Sequence, residues 1–178
     1  ANLVKVPDPV VAEVTAALEQ PVTAPVASIV NKTRSASLVV IPAGKFKMGD
    51  INGNGLAHER PVLATTIANS FAMHSKEVSV GEYEQFVANT GYKTEAEKDR
   101  GCAYYVNGEP VWEATLNWRN PGFDQESDFA AVCVTYNDAK AYADWLSGQT
   151  SQLFRLPNEV EWEYAARAGK ETEYPWGN

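Results

Sequence analysis

Few side chains in this 178-residue chain could do chemistry unaided, and their spacing narrows the choice further. Soft thiolates could hold copper(I) or zinc, or exchange electrons, but the only cysteines are Cys102 and Cys133. Two are too few for a disulfide framework, and their wide spacing does not form a zinc clip. They read first as two buried thiols acting as small hydrophobes. The second reading is a single disulfide, which would favour an oxidising compartment; a redox-active pair comes last. His58 and His74 fall in no metal-ligand spacing and read as an ordinary loop and an ordinary strand histidine. The glycine- and asparagine-rich stretch over residues 50–55 has the spacing of a calcium loop but lacks the twelfth-position bidentate Glu, so it reads as a surface loop.

The densest group of acids, bases and aromatics lies over residues 154–169, followed by Tyr174-Pro175-Trp176-Gly177. Asn158 and Glu161 have the spacing of a helix capping box. Arg155, Glu161 and Arg167 are expected to form a structural ion-pair network around that helix. Breaking one partner of such a buried network destabilises strongly, so these residues report on folding rather than on chemistry. If the domain ended here, Trp162, Tyr164 and Trp176 would form an exposed apolar patch, a binding or aggregation liability.

Bulk composition removes several classes of function. With 15 Lys and Arg against 23 Asp and Glu, the formal charge is −8. There is no basic run, so nucleic-acid binding has no electrostatic footing. No apolar run approaches the roughly 20 residues that cross a bilayer, so no transmembrane segment is expected. The chain does not open on a basic and then apolar leader, although Ala1 would suit a position just after signal cleavage. A hydrophobic content of 44% supplies a core.

Residues 1–36 are rich in Ala, Val and Pro and hold no aromatic residue. Asp8 and Pro9 suit the N-cap and first position of a helix, and apolar residues at helical spacing predict an amphipathic helix over residues 9–20. An Ala/Pro-rich linker follows to residue 36, and the domain is expected over 37–178. Residues 38–41 read as a buried strand and 45–49 as a half-buried one, with further strands over 62–67 and 71–73. Ser79 and Glu82 predict a capping box and a helix stopped by Gly91, and Thr94 and Glu97 repeat the pattern. No period survives over residues 101–131, which read as one long functional or self-packed loop. Residues 132–136 read as a strand, with Asn137 capping the next helix, whose buried face carries Ala139, Tyr142, Ala143 and Leu146.

Six ordered stretches share a further property. They are Pro42-Ala43-Gly44-Lys45-Phe46-Lys47-Met48-Gly49 with the strand before it, Lys76-Glu77-Val78-Ser79, and Thr90-Gly91-Tyr92-Lys93-Thr94-Glu95-Ala96-Glu97-Lys98. Asn117-Trp118-Arg119, Val134-Thr135-Tyr136-Asn137-Asp138-Ala139 and Arg155-Leu156-Pro157 complete the set. Together they resemble the formylglycine-generating enzyme, or sulfatase-modifying factor, family. The resemblance implies an irregular, loop-rich α+β fold related to C-type lectin-like domains. It also implies oxidation of a sulfatase peptide cysteine to formylglycine with O2 and copper(I), and structural calcium. Relatives use the fold for other oxidations or as non-catalytic binding and scaffold modules, so the fold does not fix the activity.

Carried onto this chain, the resemblance places Trp118, Arg119, Glu77 and Ala96 on a substrate-peptide groove. Each also has a structural reading: Glu77 pairing with a buried arginine, Ala96 packing, and Trp118 with Arg119 as a stacked surface anchor. Neither cysteine matches the family's copper pair. The ligands for copper(I) and calcium are therefore expected beyond Asn178, and the chain is expected to be the front portion of a longer domain. The expected partner is a sulfatase-type protein or peptide substrate, or an assembly partner held through residues 9–20. An extracytoplasmic location is favoured over a cytoplasmic one by Ala1, the linker composition and a disulfide, should one form.

Overall fold

Helix α1 (Val80–Thr90) starts where its sequence requires it to. Ser79 accepts from the Glu82 backbone N–H while Glu82 Oε2 accepts from the Ser79 N–H at 2.8 Å, so two orphan donors of the first turn satisfy each other. Gly91 ends the helix in the left-handed region, at φ 67°. The short α2 (Glu95–Lys98) repeats the box with Thr94 and Glu97. α4 (Glu159–Arg167) repeats it with Asn158 and Glu161.

These coordinates are a computed structural model, which describes residues 3–5 and 38–177. The helix expected over residues 9–20 and the linker behind it lie outside the described residues. A four-stranded antiparallel sheet forms the centre, in the order β2 (Leu38–Ile41), β5 (Phe71–His74), β1 (Val4–Lys5), β8 (Phe154–Arg155). A separate hairpin pairs β3 (Gly44–Met48) with β4 (Leu63–Ile67). Two apolar clusters flank the central sheet. One joins Leu3, Tyr83, Phe86, Trp118, Tyr142 and Phe154 beneath α1 and α3 (Tyr136–Thr150). The other joins Val4, Ile67, Phe71 and Met73 beneath α4.

Four sequence expectations need correction. The strand over residues 38–41 forms, but Val39 and Val40 are exposed because β2 is the outer strand of its sheet, paired with β5 alone. Residues 101–131 are not one loop. β6 (Cys102–Val106) and β7 (Glu109–Glu113) form a hairpin turned by Asn107 and Gly108, both at positive φ. That Asn-Gly pair between β-rich runs is the usual two-residue hairpin signal, and it was legible. No strand forms over residues 132–136, because Cys133 sits at φ 57°, incompatible with extended backbone. The cap of α3 is therefore Thr135, boxed with Asp138, rather than Asn137. Tyr142 and Ala143 are buried as expected.

Candidate functional site

A polar corner is assembled where α2, the start of α3 and the 117–120 turn meet. Its hub is Asp138, fully buried yet carrying a carboxylate. Oδ1 accepts from Tyr92 Oη at 2.9 Å and from the Glu95 N–H at 3.1 Å, while Oδ2 accepts from the Thr135 N–H at 2.9 Å. Each donor comes from a different piece of chain: the stretch after α1, the first turn of α2, and the cap of α3. Burial, aided by the bond to Asp138, pushes the Tyr92 hydroxyl up to about 12, so Tyr92 stays a donor throughout the physiological range. Asn137 Nδ2 donates to Glu95 Oε1 at 2.7 Å and closes the corner from outside.

The 117–120 turn carries an exposed cation on a buried aromatic ring. Asn117 Oδ1 accepts from the Arg119 N–H at 2.9 Å, and Asn117 and Asn120 exchange backbone bonds at 3.0 Å each. This local closure drives Trp118 inward to 2% exposure, against Tyr83 at 5.2 Å between rings. Arg119 stays outside, its guanidinium carbon 4.1 Å from the centre of the Trp118 ring. Glu97 stands on the same side. Its burial opposes ionisation, but the Thr94 backbone and side-chain bonds prevail, helped by the Arg119 charge and the nearby Trp118, and hold the carboxyl below its usual range. The corner is thus an exposed cation on an aromatic platform beside a carboxylate. An exposed guanidinium can donate to carbonyls and carboxylates, and none of these groups carries oxidising chemistry of its own.

Of the four groove residues expected from sequence, the structure places two side by side. Trp118 and Arg119 form the corner directly, and buried Ala96 lies within α2, between Glu95 and Glu97. Glu77 lies on the exposed run between β5 and α1. It makes no ion pair with a buried arginine among the described residues. Sequence reasoning missed the structural centre, Asp138, although Thr135 three residues before it carried the signal.

The expected network of Arg155, Glu161 and Arg167 separates into two pairs. Arg155 makes a bidentate bond to Glu161 at 2.7 and 2.6 Å, which holds the Glu161 carboxyl down despite burial. Arg167 pairs instead with Glu163, one helical turn away, and together they clamp the Gly49 backbone: Glu163 accepts its N–H at 2.9 Å and Arg167 donates to its carbonyl at 2.7 Å. Trp162 is 57% exposed and Trp176 85%, while Tyr164 packs on Phe46 at 5.1 Å. Two members of the expected apolar patch are therefore on the surface and the third is not.

Cys102 and Cys133 are joined in a disulfide, with a Cα–Cα distance of 5.4 Å, which overturns the first reading of them as free buried thiols. The hairpin turn at Asn107-Gly108 and the left-handed φ of Cys133 bring together two sulfurs that sequence distance alone kept apart. Copper(I) needs thiolate sulfur, and neither sulfur now offers it. Among the described residues no group of three or more His, Cys, Asp and Glu side chains could hold a metal. The described residues therefore offer no thiolate pair for copper(I) and no carboxylate cluster for calcium. His74 is buried in β5, 5.9 Å from the Phe154 ring, and His58 lies in a 3-10 turn; among the described residues neither belongs to a group of three potential metal ligands.

The family model of the sulfatase-modifying factor enzyme 1-like domain matches residues 23–178. The chain belongs to the sulfatase-modifying factor family. A formylglycine-generating enzyme from Bos taurus is 37% identical over 169 residues, covering 79% of this chain and 42% of the relative. An inactive C-alpha-formylglycine-generating enzyme 2 from Bos taurus is 32% identical, covering 82% of this chain and 54% of its own length. The solved structure of PvdO from Pseudomonas aeruginosa is similar with a TM-score of 0.64 at 34% identity, over 79% of this chain and 50% of that one. This sulfatase-modifying factor domain therefore spans about half the length of the relatives it matches. Its mixed helix and sheet architecture is the one PvdO shares. No helix among its described residues is long and apolar enough to cross a membrane.

Proposed function

We propose that this chain forms the front portion of a formylglycine-generating domain, with a C-type lectin-like core over residues 37–178. Its part in the reaction is to hold a sulfatase-type peptide whose cysteine is oxidised to formylglycine. The observation that carries this reading is the Trp118–Arg119 corner: a guanidinium held 4.1 Å over a buried indole, beside Glu97. The contact with Trp118 holds the exposed guanidinium in place, as recognition of an extended peptide backbone requires. Copper(I) supplies the oxidation in this reading, and calcium a structural role, both through ligands outside these residues. The Cys102–Cys133 disulfide supports an extracytoplasmic setting.

A second reading, a non-catalytic binding or scaffold module, is favoured by one specific observation. The residues here supply recognition alone, and a relative named inactive matches 82% of the chain. Residues 9–20 would then tether an assembly partner. Both readings are tested on the full-length product of the native gene, incubated with a cysteine-containing sulfatase-motif peptide under copper and O2. Mass spectrometry should show the aldehyde, and Arg119→Ala should raise KM with little change in kcat. Peptide binding without aldehyde selects the module, and neither binding nor aldehyde rejects both.

A further inference from the structure

The strand at the middle of the central sheet comes from the far end of the sequence. β1 pairs antiparallel with β5 (Val4 opposite Met73, Lys5 opposite Ala72) and with β8 (Val4 opposite Arg155, Lys5 opposite Phe154). The His74 N–H also donates to the Leu3 carbonyl at 3.1 Å. Leu3 and Val4 are both fully buried, and the two-residue period sends them to opposite faces: Leu3 into the cluster under α1 and α3, Val4 into the cluster under α4. Strands in a sheet are spaced about 4.8 Å apart, so without β1 the facing edges of β5 and β8 would stand about 10 Å apart, too far to bond each other. Those edges form a slot with rows of backbone donors and acceptors and an apolar pocket on each side.

Connectivity does not tie the occupant to this slot. β1 is joined to β2 by residues 6–37, and β5 alone lies between those two strands. A chain of that length can cover many times the about 10 Å required. Both strands that β1 pairs with, β5 and β8, are far from it in sequence. We propose that the gap between β5 and β8 is a strand-acceptor groove, and that Leu3–Lys5 is an exchangeable occupant of it. The groove takes an extended peptide bearing two consecutive aliphatic residues in the Leu3–Val4 register, by strand addition with a side-chain pocket on each face.

The test uses the full chain with a specific protease site placed between Pro21 and Pro25, cleaved after folding. A labelled peptide of residues 1–7 is then added in excess, both to the folded nicked protein and during refolding from denaturant. The expected result is saturable uptake of label, release of the native N-terminal piece, and displacement by unlabelled peptide. The same peptide carrying Val4→Asp should bind roughly a hundredfold more weakly, because a carboxylate would be buried unpaired. Failure to incorporate label even on refolding would overturn the proposal. So would equal binding of the Val4→Asp peptide, or loss of the N-terminal piece with hydrogen exchange unchanged in β5 and β8. None of these readouts depends on peptide oxidation, so the outcome is separate from that of the proposed activity.

Discussion

Cutting the Cys102–Cys133 bond is the perturbation whose magnitude follows most directly from the fold. The cysteines are 31 residues apart, and closing a loop of that length removes about 4 kcal/mol of unfolded-state entropy in the chain-entropy treatment. Part of this is offset in the native state. Cys133 is held at φ 57°, a conformation that costs a non-glycine residue about 1 kcal/mol and that the freed chain can leave. A net loss of about 3 kcal/mol is expected, which for a chain of this size lowers Tm by roughly 5–10 °C. The effect should also be local. The bond fastens the base of the β6–β7 hairpin, whose Tyr105 and Trp112 are exposed, to the run entering α3. Urea denaturation of the wild type and of the double variant Cys102→Ala, Cys133→Ala, each with and without reductant, measures it. Reductant should bring the wild type to the variant's midpoint and leave the variant unmoved, with faster amide exchange across residues 102–133. A midpoint shift worth less than about 0.5 kcal/mol would refute the loop-closure reasoning. Acceleration spread evenly over the central sheet would refute the local role.

Asp138→Asn leaves the size of the hub but removes its charge and turns one acceptor into a donor. It should cost about 3 kcal/mol in urea melts, since charge-assisted bonds from Tyr92, Glu95 and Thr135 are lost together. Gly49→Ala places a Cβ against the Glu59 carbonyl at φ 104°, and should cost about 3 kcal/mol or prevent folding, read by melting temperature and soluble yield. Arg155 holds the Glu161 carboxyl below its ordinary 4.5, so this contribution to stability is complete above pH 4.5 and is lost as pH falls through the lower folded value. Glu161→Gln should therefore flatten the acid limb of a stability–pH curve below pH 4.5. Burial pushes His74 below its ordinary 6.5, against a smaller opposing pull from Glu82. The unfolded chain then takes up the proton first, so this contribution is complete above pH 6.5 and lost as pH falls below it. His74→Phe should remove that slope, seen by comparing urea midpoints at pH 5 and 7.5.

Local signals in the sequence were legible wherever chemistry acts within a few residues. Ser79, Thr94 and Asn158 announced their helices because a cap oxygen and an acid three positions later satisfy each other without tertiary help. The Asn107-Gly108 turn was equally local, and only the crowd of aromatics around it hid the hairpin. What resisted reading is long-range. Nothing in Leu3-Val4-Lys5 states that it will sit between strands about 70 and 150 residues away. Cys133 in the left-handed region is a tertiary imposition on a run of β-formers, which is why residues 132–136 read as a strand. Arg167 met the nearer acid, Glu163, because a helix places i and i+4 on one face, a rule that outranked the guessed network. At the recognition corner, sequence marked Trp118 and Arg119 and missed Asp138, whose role comes from donors more than 40 residues away.

The capping acids show how a loop-rich fold keeps its shape. Each of the four described α-helices opens with a capping box, and each acid in it takes on more than the cap. Glu161 binds Arg155 of β8, fixing α4 to the sheet. Asp138 gathers α2 and the chain after α1 onto α3. Glu97 faces Arg119 and Trp118, and Glu82 lies close enough to His74 and Tyr142 to influence both. A carboxylate already oriented by the N-cap backbone N–H loses little further freedom in gaining a tertiary partner, so the second contact is entropically inexpensive. With little sheet to organise it, the molecule positions the Trp118–Arg119 corner through helix N-termini. Replacing Arg119, which is exposed, should accordingly change recognition alone, whereas replacing Trp118 should cost about 3–5 kcal/mol of core packing. If Arg119→Ala instead melted the protein as Trp118→Ala does, the corner would be a structural anchor and the peptide-binding assignment would fall.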